Sequence, residues 1–301
     1  MDQLSSLAHA EQIGDTTIRV VEDTALLSWA ESRGLAPWDA QLRALEEGIL
    51  PARYSKNVWA LGLEEQLRLA RATAFVCGCG GLGGTILQLL ARAGVGHLRF
   101  CDSDTFASSN LNRQWFSCTD TLGRPKAAVA ATVCRRINPF VRVTALQVTL
   151  DESTLHELAA GAHVLIDAVD NLPARFLMDR ARRDYGIPFI HGAVAGWLGQ
   201  LTTFLPESPL GLEHIYGERR ERHASEQALG VLGPTAAVIG SLQALEAIRV
   251  LAGRPPAHAG RLLYFDGESG MMHVVPLDSQ ASAGDIKPVE NQSANMKENR
   301  E

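Results

Sequence analysis

The stretch Ala74-Phe75-Val76-Cys77-Gly78-Cys79-Gly80-Gly81-Leu82-Gly83 decides the fold. Four residues of strand character run into G-x-G-x-x-G, and a helical pattern of small and aliphatic residues follows from Gly84 to Ala93. Strand, glycine turn and helix in that order form a nucleotide-binding unit, because glycines let backbone approach a phosphate at a helix N-terminus. Asp102 follows Gly83 by 19 residues at the end of the next apolar run. A carboxylate there can accept hydrogen bonds from ribose hydroxyls.

Outward from this unit, short β-branched runs alternate with longer helical patterns. Strands are predicted at Ala74–Cys77, Leu98–Cys101, Val141–Val148, Val164–Ala168, Phe189–Ala193 and Gln200–Leu205, with terminal strands at Arg261–Phe265 and Met272–Pro276. Helices are predicted at Gly84–Ala93, Pro125–Ile137, Ser153–Ala160, Pro173–Asp184 and Pro234–Leu251. This rhythm predicts an α/β fold: a doubly wound, Rossmann-like, mostly parallel sheet that continues into a mixed β half. Residues 1–50 read as a small acidic extension, mainly helical (Thr24–Ser32 and Pro37–Glu47) with one short strand, Thr16–Val21. Residues 51–277 form the main domain, and the polar residues 278–301 are expected to be a disordered tail.

Composition narrows the class. The 301 residues are 46% hydrophobic and 21% charged, ordinary for a globular protein. Residues 1–50 hold nine acids and three bases, so the net charge of −6 resides there and the remainder is neutral, without the basic footprint of a nucleic-acid binder. The N-terminus has no basic and apolar leader pattern, and the apolar stretch from Val231 to Val250 is interrupted by Gly, Pro, Gln and Glu. A cytoplasmic protein without membrane spans is expected. Five cysteines without a CxxC pair fit a reducing compartment.

The glycine loop and Asp102 alone would suit NAD. The residues downstream point elsewhere. Asp102-Ser103-Asp104 is followed by Asn110-Leu111-Asn112-Arg113-Gln114, then by Lys126 after Gly123-Arg124-Pro125. Hydride transfer has no obvious use for these groups, whereas a triphosphate under attack needs cations. Lysine is scarce: only Lys56 and Lys126 precede the polar tail. Asp170-Asn171 follows the strand around Ile166, at the edge where ligands bind in open α/β sheets. Asp170 suits magnesium or, alternatively, the N-cap of the helix at Pro173.

Seven segments in order resemble the ThiF/MoeB/HesA superfamily, the adenylating core shared with ubiquitin-activating enzymes. They are RYSKN (Arg53–Asn57), GCGGLGG (Gly78–Gly84), DSD (Asp102–Asp104), NLNRQ (Asn110–Gln114), GRPKA (Gly123–Ala127), DAVDN (Asp167–Asn171) and the long segment Gly230–Leu251. The resemblance makes residues 51–277 a ThiF-type adenylating domain. It implies ATP-dependent adenylation of a C-terminal carboxylate, usually the Gly-Gly end of a small ubiquitin-like sulfur-carrier protein or a related peptide, with release of pyrophosphate. On that resemblance Gly78, Gly80, Gly81, Leu82 and Gly83 cradle phosphates and Asp102 and Asp104 belong to the nucleotide site. Asn110, Arg113, Gln114, Lys126 and Asn171 line it, and Asp170 binds Mg2+. Lys56, at a position where relatives typically carry arginine, would reach into the partner's site of a homodimer.

Two departures matter. Relatives often hold a structural zinc with two CxxC pairs, which this chain lacks, so no zinc is expected. The transfer cysteine of some relatives is replaced by Glu226, so the enzyme is expected to stop at the adenylate. Cys77, Cys79, Cys101 and Cys134 read as structural, and Cys118 stays open. His163 and His191 read as fold residues, while His214, His223 and the arginines of Glu218–His223 receive no site role. Three rivals remain at this stage. They are a non-catalytic ATP- or carrier-binding module, a dehydratase-like enzyme adenylating a modified tRNA (threonylcarbamoyladenosine), and an NAD-binding oxidoreductase.

Overall fold

The computed structural model describes residues 3–13, 16–217, 221 and 229–277. Most of Glu218–His223, the replaced transfer position Glu226 and the tail 278–301 lie outside the described residues.

The N-terminal region is more than helical. Helix α1 (Gln3–Leu7) leads into β1 (His9–Ile13) and β2 (Thr16–Val21), and α2 (Asp23–Ser32) and α3 (Pro37–Glu46) precede β3 (Ile49–Pro51). The strands form a sheet in the order β1-β2-β3, antiparallel then parallel. The two expected helices and the strand Thr16–Val21 are present, and α1, β1 and β3 are added to them. β1 and β3 escaped because one is polar and the other spans three residues. Leu4, Val21, Leu26, Trp29, Ala40, Ala44 and Ile49 make a core of their own, completed by Phe140 from the main domain. Arg53 supports the junction by pairing with Asp23 at 2.6 Å and lying over the Phe140 ring.

Helix α4 (Val58–Arg71), which the sequence pattern did not reveal, is broken at Gly62 (φ 70°). It runs into β4 (Thr73–Cys77), α5 (Gly81–Ala93), β5 (His97–Cys101), α6 (Lys126–Ile137), β6 (Arg142–Leu146) and α7 (Glu152–Ala159). There follow β7 (Val164–Asp167), α8 (Leu172–Tyr185), β8 (Phe189–Ala195), β9 (Leu198–Phe204), the short α9 (Glu213–Tyr216), α10 (Gly233–Leu251), β10 (Arg261–Asp266) and β11 (Met271–Pro276). The eight strands lie in the order β11-β10-β9-β8-β7-β4-β5-β6. Pairing is parallel from β8 to β6 and antiparallel from β8 outward to β11, as the mixed sheet expected.

Alternation along β4 sends Ala74 and Val76 to one face with α5, α6 and α10, and Phe75 and Cys77 to the other with α7 and α8. Helices on both faces make the sheet doubly wound. The chain leaves β4 toward β5 and returns on the other side at β7, so a crevice opens between the C-terminal ends of β4 and β7. Among the described residues no helix is long and apolar enough to cross a membrane.

The segment after β9 is held by a buried ion pair. Arg182 bonds Asp179 at 2.6 Å and donates to the carbonyls of Leu205 and Leu210, while the other Asp179 oxygen accepts from Leu212 N–H at 3.1 Å. Replacing Arg182 with methionine strands the Asp179 charge and is expected to cost about 3–5 kcal/mol. Denaturant unfolding measures it, and a loss under about 1 kcal/mol would show that the segment is held otherwise.

Candidate active site

The glycine loop is shaped by close backbone approach. A Cβ at Gly78 (φ 101°) would lie 2.5 Å from the Ala168 carbonyl oxygen, and one at Gly83 would lie 1.9 Å from that of Gly78. These two glycines bring the turn after β4 against the turn after β7. Helix α5 begins at Gly81, three residues earlier than expected, so the unpaired N–H groups of its first turn fall within the loop.

Around this helix end the structure gathers most of the anticipated residues. Asp102 accepts from the N–H of Cys79 (2.7 Å) and Asp104 (2.9 Å). Burial pushes its carboxyl above the ordinary value, partly offset by those two bonds and by Lys126. Arg113 donates to the Ser109 carbonyl and to Asn112 Oδ1, both at 2.9 Å, and its backbone and side chain border Gly81. Asn110 is buried, its Oδ1 accepting from Ala107 N–H. Gln114 faces Gly80, and among the described residues its buried Oε1 has no hydrogen-bond partner. A desolvated amide oxygen is costly to leave unpaired, so this atom marks a place for a ligand or water.

Lys126, expected from the sequence to serve the phosphates, is an enclosed residue. It is 6% exposed, and its Nζ bonds Asp104 Oδ2 at 2.8 Å. The Thr105–Pro125 bridge and the bond from Lys126 N–H to the Asp104 carbonyl hold the two segments together, which drives the lysine stem inward. Its charge stands over the loop in company with an exposed carboxylate, not alone.

At the facing turn the cap belongs to Asn171, whose Oδ1 accepts from Ala174 N–H at 3.0 Å. Asn171 is therefore occupied at the helix start. Asp170 is exposed, and among the described residues its carboxylate makes no hydrogen bond or ion pair. An open carboxylate of this kind fits magnesium, which takes one or two carboxylates together with nucleotide phosphates and water. No cluster of three or more His, Cys, Asp or Glu able to hold a metal occurs among the described residues.

Lys56 does not join the site of its own chain. Tyr54 packs against Gly94, the C-cap of α5, and bonds Gln41 and Asn138. Lys56 is exposed two residues on, near the end of α5 opposite the glycine loop. The 13 residues of α5 put about 20 Å between those ends.

Cys77, Cys79, Cys101 and Cys134 are buried and Cys118 is exposed. The contact with the Cys101 thiol, together with burial, raises the Cys77 thiol; burial raises Cys79 and pushes Cys134 up to about 12, so none of these three is a ready nucleophile. One set of residues escaped the sequence: Asp167, Arg175, His191, Gln200, Tyr216 and Gln243 form a buried polar network beneath the Asp170 turn. Asp167 stood within DAVDN as a possible signal, and His191 does serve the fold as read, but their shared partners are spread over 76 residues.

Comparison with known proteins agrees with this geometry. The ThiF family matches residues 54–285. The chain is 39% identical over 228 residues to the SAMP-activating enzyme E1 of Haloferax volcanii, covering 74% of this chain and 84% of that enzyme. It is 34% identical over 228 residues to the sulfur carrier protein ThiS adenylyltransferase of Escherichia coli, covering 75% and 90%. Among solved structures, E. coli MccB with ATP superposes with a TM-score of 0.66 at 16% identity, over 91% of this chain and 96% of that one. The microcin C7 biosynthetic enzyme MccB in complex with N-formylated MccA gives the same score and coverage at 17% identity. On these matches and the site they enclose, the chain belongs to the ThiF family and is an adenylyltransferase.

Proposed function

We propose that this enzyme uses ATP to adenylate the C-terminal carboxylate of a small ubiquitin-like or sulfur-carrier protein, releasing pyrophosphate. The observation that carries the reading is the convergence of the α5 N-terminus, Asp102, Arg113, Lys126 and the unpartnered Gln114 oxygen at one crevice. The glycine loop, Arg113, Lys126 and Gln114 hold the triphosphate, and Asp102 accepts from the ribose hydroxyls. The attacking carboxylate is already a nucleophile, so the residues need to position it and offset negative charge, with no general base. Asp170 holds magnesium, which supplies additional positive charge to the phosphates when bound. Asp104 and Asn110 keep Lys126 and the 107–110 turn in place.

The active form is a homodimer in which Lys56 completes the partner's site. Two observations support this: the 20 Å or so of α5 that separates Lys56 from its own glycine loop, and exposed Trp59, Leu111, Trp115 and Leu245 on α4, the Arg113 segment and α10. A cytoplasmic location accords with the reduced cysteines.

ATP–pyrophosphate exchange, with small Gly-Gly-terminated proteins from the same organism added singly, tests the reading. Carrier-dependent exchange is the expected result; ATP binding without exchange for every carrier would overturn it. A peptide carboxylate is the second reading. The likeness to MccB, one chain of it solved with N-formylated MccA, leaves too little of this chain uncovered to omit residues 1–50. Exchange stimulated by a peptide and by no carrier would select it.

The Asp102 role makes a separate prediction. Asp102→Asn should raise the KM for ATP about tenfold or more, the worth of a hydrogen bond to a charged group, and leave kcat little changed. Because burial raises the Asp102 pKa, the wild-type KM should climb on acidification sooner than an ordinary carboxylate would allow, whereas the variant should lack that limb. A KM unaffected by the substitution would remove Asp102 from the ribose.

A further inference from the structure

Beneath the Val169–Asp170 turn lies a largely buried polar network. Asp167, the fully buried last residue of β7, accepts from Val169 N–H through Oδ1 at 3.0 Å. Its Oδ2 accepts from His191 Nδ1 at 2.7 Å and lies 3.1 Å from Arg175 Nε. Arg175, 6% exposed, sends one terminal nitrogen to the Val169 carbonyl at 2.7 Å and the other to the Tyr216 hydroxyl at 3.0 Å. The hydroxyl also accepts from Gln200 Nε2 at 2.7 Å and meets His191 Nε2 at 3.1 Å. Gln243, from α10, donates to the Asp167 carbonyl at 2.6 Å.

Both polar atoms of the Val169 backbone are thus claimed, the N–H by Asp167 and the carbonyl by Arg175. Peptide planes on either side of Val169 are fixed, and with them the direction in which Asp170 leaves the chain. Space filling does not require this arrangement, since apolar residues of similar volume often replace buried ion pairs without loss of stability. What the planar guanidinium adds is direction, because its forked N–H groups meet acceptors at set angles. His191 and Tyr216 in turn orient Asp167 and Arg175: burial keeps the imidazole neutral, its Nδ1–H donating to the carboxylate and its Nε2 accepting from the phenol.

We propose that Arg175 and Tyr216 are positioning residues for adenylation, setting through Val169 the orientation of Asp170 toward the nucleotide-bound metal. The proposal rests on the magnesium role given above to Asp170.

Tyr216→Phe removes one hydroxyl and Arg175→Lys keeps the charge while losing the fork. Each is measured beside Asp170→Asn and the double variant Asp170→Asn/Tyr216→Phe, in the full-length enzyme. The readouts are kcat and carrier KM in pyrophosphate exchange, thermal unfolding, and Mn2+ affinity with a non-hydrolysable ATP analogue by electron paramagnetic resonance. Tyr216→Phe is expected to lower kcat and Mn2+ affinity about tenfold while the carrier KM holds, and Arg175→Lys to do so by at least as much. In the Asp170→Asn background, removal of the Tyr216 hydroxyl should cost little more, because both changes act through one group.

Folded Tyr216→Phe and Arg175→Lys enzymes with wild-type kcat and Mn2+ affinity would overturn the proposal, as would a full tenfold further loss in the double variant. If Tyr216→Phe does not fold, Arg175→Lys decides alone. Wild-type Mn2+ affinity and kcat in Asp170→Asn would instead refute the magnesium role itself.

Discussion

Replacing Lys126 with alanine is expected to reduce carrier-dependent exchange about 10²–10³-fold, the range for removing one charge-stabilising donor from a preorganised site. Charge preorganisation is the reason for so large a loss. The lysine is almost enclosed, tied by backbone to the Asp104 segment and held by a 2.8 Å bond, so its position is set before nucleotide arrives. Stability should change far less. The partner left behind, Asp104, has a side chain 67% exposed and is solvated by water once the lysine is gone. Arginine at 126 should restore little, since fitting a larger planar guanidinium into an almost enclosed position forces its surroundings to repack. A Lys126→Ala enzyme with near-normal exchange and an unchanged KM for ATP would take the lysine out of phosphate binding.

Mixing two inactive variants should regenerate activity. Lys56→Ala and Lys126→Ala lose different halves of a site if Lys56 acts across a two-fold axis, so a hybrid dimer holds one intact site and one doubly deficient site. Random exchange of subunits makes half the dimers hybrid, which puts the recovery at about one quarter of wild-type activity. Each variant alone should remain near background. The geometry favours this outcome, for Lys56 begins at the far end of α5 and a lysine stem cannot span the roughly 20 Å back to Gly81. Absence of recovery after verified subunit exchange would confine each site to one chain.

Local signals were legible and distant ones were not. The glycine loop, Asp102 and the alternation of strands and helices followed from spacing alone, because each rests on residues close together in sequence. Boundaries shifted by a few residues where glycine or proline admitted both geometries, as at Gly81–Gly84 and Pro125–Lys126. Lys126 was expected at the phosphates from its place in GRPKA, but nothing in that segment announces that Asp104 and a short bridge pull it under cover. The cap before α8 was read as an alternative role for Asp170, and it falls instead to its neighbour Asn171. The Asp167–Arg175–Tyr216 network was hidden for a different reason: it is assembled from β7, α8, β8, β9, α9 and α10, and no periodicity joins them.

Phe140 bears on how such enzymes could be recombined. Its ring comes from the loop between α6 and β6, yet it is buried among Leu4, Trp29 and Ile49. A chimaera that joins residues 1–50 of this chain to another adenylating domain would inherit a socket without its plug unless an aromatic stood at the matching loop position. Conversely, a chain cut at residue 51 would present that ring to water and invite self-association. An N-terminal segment exchanged on this scaffold will therefore need to travel with the α6–β6 loop, and the natural unit of exchange is discontinuous in sequence.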